Sequence, residues 1–166
     1  MNEEIKLFAT GGTFDKEYDE IHGKLYFKNT HMFEILKLGR CKLQVDIETL
    51  MMIDSLEMSN SERNYIVKKC KQEAKTRIVI THGTDTMVET AKLIAKSIHD
   101  KTIVLTGAMI PYNFGSSDGL FNLGSALSFA QSLPIGVYIS MNGQVFNWDN
   151  VQKNKEIGIF EEKGNK

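Results

Sequence analysis

Arg77-Ile78-Val79-Ile80-Thr81-His82-Gly83-Thr84-Asp85-Thr86-Met87 sets the architecture of this chain. Ile78 to Thr81 is β-branched at every position and does not alternate with polar residues. An unbroken run of that kind suits a strand covered on both faces. Gly83 ends it, and the period then changes. Over residues 84–98, Met87, Val88, Ala91, Ile94, Ala95 and Ile98 fall on one side of a helix.

The same unit recurs on either side. Ile5 to Thr10 reads as a buried strand ending in Gly11-Gly12, and Thr102 to Thr106 as another ending at Gly107. Gln44 to Met52 and Ile135 to Met141 are two further candidate strands. Helices are predicted over 30–38, with Gly39 as C-cap, and over 59–75, which opens with the capping-box pattern Ser59-Asn60-Ser61-Glu62. A fourth is predicted over 118–131, with Asp118 as N-cap. Strands alternating with helices imply βαβ crossovers and an α/β fold: a doubly wound, mostly parallel, three-layer sheet of Rossmann or flavodoxin type. Phe14 to Phe27 is polar and flanked by aromatics, and reads as a mobile hairpin or lid after the first strand. The charged tail from Lys153 to Lys166 is expected to fray.

A chain of 166 residues is a normal length for one domain, here 1–166, and can bury a core without disulfides. Twenty basic against 21 acidic residues leave a charge of −1, which gives no electrostatic reason to expect nucleic acid. Lys68, Lys69, Lys71 and Lys75 sit beside Glu62 and Glu73 and read as a solvated helix face. Cys41 and Cys70 have no CxxC partner and read as free thiols of a reducing compartment. His22, His31 and His99 show no ligand spacing, so neither a metal nor another cofactor is expected. With no secretory leader and no membrane-length apolar run, the expected location is cytoplasmic.

In open parallel sheets, ligands bind beyond the carboxyl ends of the strands. Three such ends carry glycines and hydroxyls: Thr10-Gly11-Gly12-Thr13, Thr81-His82-Gly83-Thr84-Asp85-Thr86, and Thr106-Gly107-Ala108-Met109. Glycine allows close backbone approach, and free N–H groups in such turns can stabilise an oxyanion. Composition alone leaves these turns as structural as they are functional. Asp85 could be a helix N-cap as well as a catalytic group, and His82 reads as a buried, hydrogen-bonded imidazole rather than a base.

Motif order sharpens the reading. Ala9-Thr10-Gly11-Gly12-Thr13-Phe14 resembles the first signature of the bacterial L-asparaginases, and Ile80-Thr81-His82-Gly83-Thr84-Asp85-Thr86-Met87 resembles their second. Thr106-Gly-Ala-Met-Ile-Pro111, Ser117-Asp-Gly-Leu-Phe-Asn-Leu123 and Trp148-Asp-Asn-Val-Gln-Lys153 follow in family order. The resemblance spans the family's N-terminal domain only, and a single domain without the family's second one is the expectation. It implies that Thr13 is a nucleophile, that Thr84, Asp85 and Lys153 form a second catalytic set, and that Ser55 holds a substrate α-carboxylate. Glu57, in the same Asp54–Met58 segment, is counted with the substrate-binding residues. The N–H groups of Gly12 and Thr84 match the oxyanion hole, and the Ala108 carbonyl matches a contact to the leaving amide. The family's loop tyrosine matches Tyr26 on spacing, with Tyr18 as the alternative.

Two departures bear on substrate. The resemblance implies that the family's second domain, not expected here, supplies an acidic residue for the substrate amine. Leu56 stands where the family often has a polar residue beside the substrate serine. Asparagine or another small amide is the expected substrate, and a homo-oligomer the expected assembly. The competing reading is a non-catalytic small-ligand or regulatory module on the same pocket. A dinucleotide-binding reading is weak, because Thr10-Gly11-Gly12-Thr13 is not GxGxxG and no ribose-binding acid follows in the expected context.

Overall fold

The computed structural model describes residues 4–164. Five parallel strands make up most of a six-stranded sheet: β1 (Ile5–Gly11), β4 (Val45–Ile53), β5 (Arg77–Thr81), β6 (Thr102–Thr106) and β7 (Gly136–Met141). Their spatial order is β4-β1-β5-β6-β7. This is the flavodoxin-like winding, whose switch point lies between the first strand and its inner neighbour. Here that point falls between β1 and β5, where the first two glycine turns emerge.

Both sheet faces are covered, which explains the continuous apolar runs. On one side Phe8, Ile78, Ile80, Ile103 and Leu105 pack with Ile66, Val67 and Cys70 of α2 (Asn60–Gln72) and with Met87, Ala91 and Ile94 of α3 (Met87–Ser97). On the other, Ile5, Leu7, Val79 and Val104 meet Met32 and Ile35 of α1 (Met32–Leu38) and Leu123, Ala126 and Leu127 of α4 (Gly119–Ser132). Successive strand side chains thus serve opposite layers. A hairpin after β1, β2 (Lys16–Asp19) with β3 (Lys24–Phe27), stands outside the sheet as expected. No helix among the described residues is long and apolar enough to cross a membrane.

Several expectations change. A sixth, antiparallel strand, β8 (Gln144–Asn147), pairs with β7 through Asn142-Gly143, both at positive φ as a two-residue hairpin turn requires. The Asn-Gly pair was a legible signal that the sequence reading passed over. The tail is not frayed across its described part. β9 (Gln152–Asn154) and β10 (Ile159–Glu161) form a second hairpin, pinned by the buried side chains of Val151 and Phe160. Residues 165 and 166 lie outside the described residues. Asp118 is the N-cap residue of α4, with its carbonyl accepting the Asn122 N–H, but its side chain makes no capping bond: the carboxylate accepts the N–H groups of Met109 and Ile110 instead. Gly39 is the C-cap of α1, but the left-handed position falls to Arg40 (φ 51°), and Cys41 N–H closes onto Leu36 O at 2.9 Å as in a Schellman ending.

The α3 helix starts at Met87 rather than at residue 84. Its would-be first turn is occupied elsewhere. Thr84 and Asp85 bond Lys153, and Thr86 Oγ1 donates to Ser55 O at 2.8 Å. The capping box of α2 forms as read, with Ser59 and Glu62 bonded reciprocally.

Candidate active site

Three turns meet at the switch point, and glycines form the seams. Gly12 lies so close to the next turn that a β-carbon on it would sit 2.4 Å from Gly83 N. A β-carbon on Gly83 would sit 2.5 Å from Ser55 Oγ. No larger residue fits either place without moving backbone. The contacts seat Thr13, Thr84 and Ser55 on adjoining segments. Thr13 opens a 3-10 turn (Thr13–Asp15) and stays partly accessible, while Phe14 and Asp15 behind it are buried. Asp15 anchors that turn by accepting from His31 N–H at 2.7 Å and from the Thr30 hydroxyl. Burial outweighs those bonds and raises its pKa.

The second turn carries the cluster with the clearest chemistry. Lys153 Nζ donates to Thr84 Oγ1 and to Asp85 Oδ1, each at 2.8 Å. The lysine side chain is only 10% exposed, against 35% for Asp85. An ordinary surface lysine keeps its head in water. This one is drawn inward, from β9, to a hydroxyl and a carboxylate on another element. Beneath the turn, His82 is fully buried, which pulls its pKa down to about 4. Its Nδ1 lies 2.7 Å from Gly83 O and its Nε2 lies 2.8 Å from Thr90 Oγ1. A carbonyl can only accept, so Nδ1 carries the hydrogen and Nε2 accepts from Thr90. His82 is thus a neutral brace, as read from sequence.

Ser55 is buried, and its hydroxyl has no hydrogen-bond partner among the described residues. Such a group is costly to leave unpaired unless a ligand completes it. Glu57 and Leu56 face solvent on the same turn. Asp54, just before Ser55, forms an ion pair with Lys16 of β2, which ties the hairpin to this turn. Burial pushes the Asp54 carboxyl up, but the Lys16 and Leu56 N–H bonds carry it below its ordinary value.

Other carried-over groups are engaged differently. The Gly12 N–H donates to Ile53 O at 3.0 Å, so it is not a free oxyanion donor. The Thr84 N–H has no acceptor among the described residues and stays available. Tyr26 is 38% exposed and donates to Glu17 Oε2 at 2.9 Å within its own hairpin. Tyr18 is more exposed still. Neither tyrosine is bonded to Thr13, Thr84 or Lys153. The Ala108 carbonyl lies on the third turn, also without a partner among the described residues. No cluster of three or more metal-ligating side chains occurs among the described residues.

A parallel three-layer sheet with a Thr–Asp–Lys cluster beyond its strand ends defines an α/β domain whose carboxyl edge holds a hydroxyl, a carboxylate and an amine together. Comparison with known proteins narrows this. Residues 4–159 match the family profile described as asparaginase, N-terminal, and the chain belongs to the asparaginase family. It is 40% identical over 119 residues to a glutaminase-asparaginase of Acinetobacter glutaminasificans, covering 69% of this chain and 35% of that protein. It is 38% identical over 165 residues to L-asparaginase 2 of Escherichia coli, covering 93% and 47% respectively. The thermostable L-asparaginase from Thermococcus kodakarensis superposes with a TM-score of 0.85 at 25% identity, over 98% of this chain and 52% of that one. The chain spans about half the length of the L-asparaginases it matches.

Proposed function

We propose that this chain carries the acyl-transfer centre of an amidohydrolase that releases ammonia from asparagine or a similar small amide. The observation that carries the reading is the placement of Lys153 Nζ at 2.8 Å from both Thr84 Oγ1 and Asp85 Oδ1, largely out of water. A threonine hydroxyl is a weak nucleophile and needs a base held nearby. A binding pocket alone has no use for a buried amine bonded to a hydroxyl.

In the first step Thr13 Oγ bonds to the amide carbon and gives up its proton. The Thr84 hydroxyl, held by Lys153, takes that proton and passes its own on toward the amide nitrogen. The oxyanion is met by the Thr84 N–H, and preorganised donors of this kind typically lower barriers by about 3 kcal/mol each. The C–N bond then breaks, the nitrogen takes the proton, and ammonia leaves. Water adds to the Thr13 ester, the C–Oγ bond breaks, and the free carboxylate product departs. Asp85 holds the lysine and, in this reading, meets a substrate amine. Ser55 Oγ supplies the donor for an α-carboxylate, with Glu57 at the rim. Tyr26 remains the assigned loop tyrosine, which requires its hydroxyl to leave Glu17 when substrate binds. The proposal includes a cytoplasmic, self-associating protein, checked by light scattering on the purified chain.

Ammonia release measured over a panel of amides, asparagine and glutamine among them, tests the reading. Turnover of at least one small amide is expected, and Thr13→Ala should abolish it. Aspartate binding with no ammonia from any amide would instead support a pure binding module.

A further inference from the structure

The third turn is held from behind by two residues to which nothing so far assigns a role. Asp118 accepts the Met109 N–H at 3.0 Å and the Ile110 N–H at 3.0 Å. Asn122, fully buried on the next turn of α4, donates to Asp118 Oδ2 at 2.9 Å and to Gly107 O at 2.8 Å. Its own oxygen accepts the Asn142 N–H at 2.9 Å from the β7–β8 turn. One carboxamide thereby joins the turns after β6 and β7 to the start of α4. This explains why the Asp118 side chain makes no capping bond at the N-cap of α4: its oxygens are turned back to the third turn.

The Met109 N–H and the Ala108 carbonyl belong to one peptide unit, which is planar and trans. Fixing the N–H on Asp118 therefore points the Ala108 carbonyl the opposite way and holds it there. A charged acceptor on the N–H also draws density toward the carbonyl oxygen, making it a stronger acceptor. The Ala108 oxygen has no partner among the described residues. Its turn packs on the catalytic cluster: Thr84 Oγ1 lies 3.7 Å from Met109 Sδ, and a β-carbon on Gly107 would lie 3.0 Å from Thr84 Cγ2.

We propose that Asp118, braced by Asn122, is a positioning pair that aims and polarises the Ala108 carbonyl toward the nitrogen of the departing amide. The inference rests on the proposed amidohydrolase reading. The carbonyl acts on a leaving group that bears N–H, orienting it as the C–N bond breaks. An ester of the same acid, whose leaving oxygen brings no N–H to the carbonyl in the acylation step, gains nothing from it.

Asp118→Asn, assayed on an amide and on the matching methyl ester, separates this from a merely structural role. Amide kcat should fall tenfold or more with KM within about twofold, while ester kcat stays within about twofold. Equal losses on both substrates, or none on either, overturn the pair's role. Loss of the Thr13→Ala effect would instead overturn the underlying reading. Ser117→Ala is the control. It removes the 2.6 Å bond to Ile110 O from the same turn and leaves the Met109 peptide clamped, so the amide-to-ester ratio should hold. A second readout needs no turnover. The carbonyl-carbon NMR signal of Ala108 should move in Asp118→Asn, together with faster exchange of the Met109 amide. An unmoved signal with unchanged exchange also overturns the proposal.

Discussion

Lys153 and Tyr26 are carried by two hairpins of similar build. Each is a short antiparallel ribbon outside the main sheet, rich in charge, with a proposed functional group on one strand. They differ in their anchors. The β9–β10 ribbon sinks Phe160 and the adjoining Val151 into the core. Lys153 is accordingly fixed on Thr84 and Asp85. The β2–β3 ribbon leaves Tyr18, Ile21, Leu25 and Tyr26 exposed, and its main ties are the Lys16–Asp54 pair and the 3.2 Å approach of His31 to Glu17. A buried apolar anchor makes one functional group part of the rigid scaffold. A polar tie leaves the other free to take up its position later.

The comparison breaks most visibly at Lys153. Lys153→Met keeps the apolar stem and removes the amine. Ammonia release should fall at least a thousandfold, roughly 4 kcal/mol of barrier, with folding retained by circular dichroism. Activity within tenfold of wild type would remove the lysine from the mechanism. Phe160→Ala attacks the anchor instead. It should cost roughly 3 kcal/mol in denaturant unfolding. Turnover should drop in solution conditions where the chain is still folded, because Lys153 loses its register. Full activity in a folded variant would show that the anchor does not position the lysine.

On the other ribbon the effects are smaller. Lys16→Met cuts the link to Asp54 and should speed amide exchange across residues 16–27, with a stability loss of about 1 kcal/mol or less for this partly exposed pair. Protection unchanged from wild type would place the anchor elsewhere. Glu17→Gln is the mildest. The Glu17 carboxylate favours the protonated phenol, so the Tyr26 pKa stands above its ordinary value. Removing that charge should lower it, as read by ultraviolet titration against Tyr26→Phe. An upward move would contradict the assigned bond.

The same contrast governs what could be read from the residues. The five parallel strands were legible because both-face burial writes unbroken β-branched runs such as Ile78 to Thr81. The three glycine turns were legible because strand ends at a parallel sheet's carboxyl edge have few uses. Lys153 was not readable from pattern, since a charged hairpin of three-residue strands carries no period; only family order pointed to it. The anchoring Phe160 was hidden for the same reason, and the segment read as a fraying tail. Asp118 stands at the N-cap as the local rule implies, but the work of its carboxylate was not legible there. The N–H donors it serves, nine and eight residues upstream, are set by tertiary packing. The Gly12 N–H was likewise taken up by Ile53 O across the β1–β4 edge, a bond invisible until strand order is known.

The proposed mechanism passes through a covalent bond at the Thr13 hydroxyl. Acid-quenching the chain during turnover of an amide, followed by peptide mass mapping, tests it directly. The account predicts an acyl adduct, of the acid's mass less water, on the peptide bearing Thr13. Turnover with an adduct on any other residue, or undiminished turnover by Thr13→Ala, would contradict it.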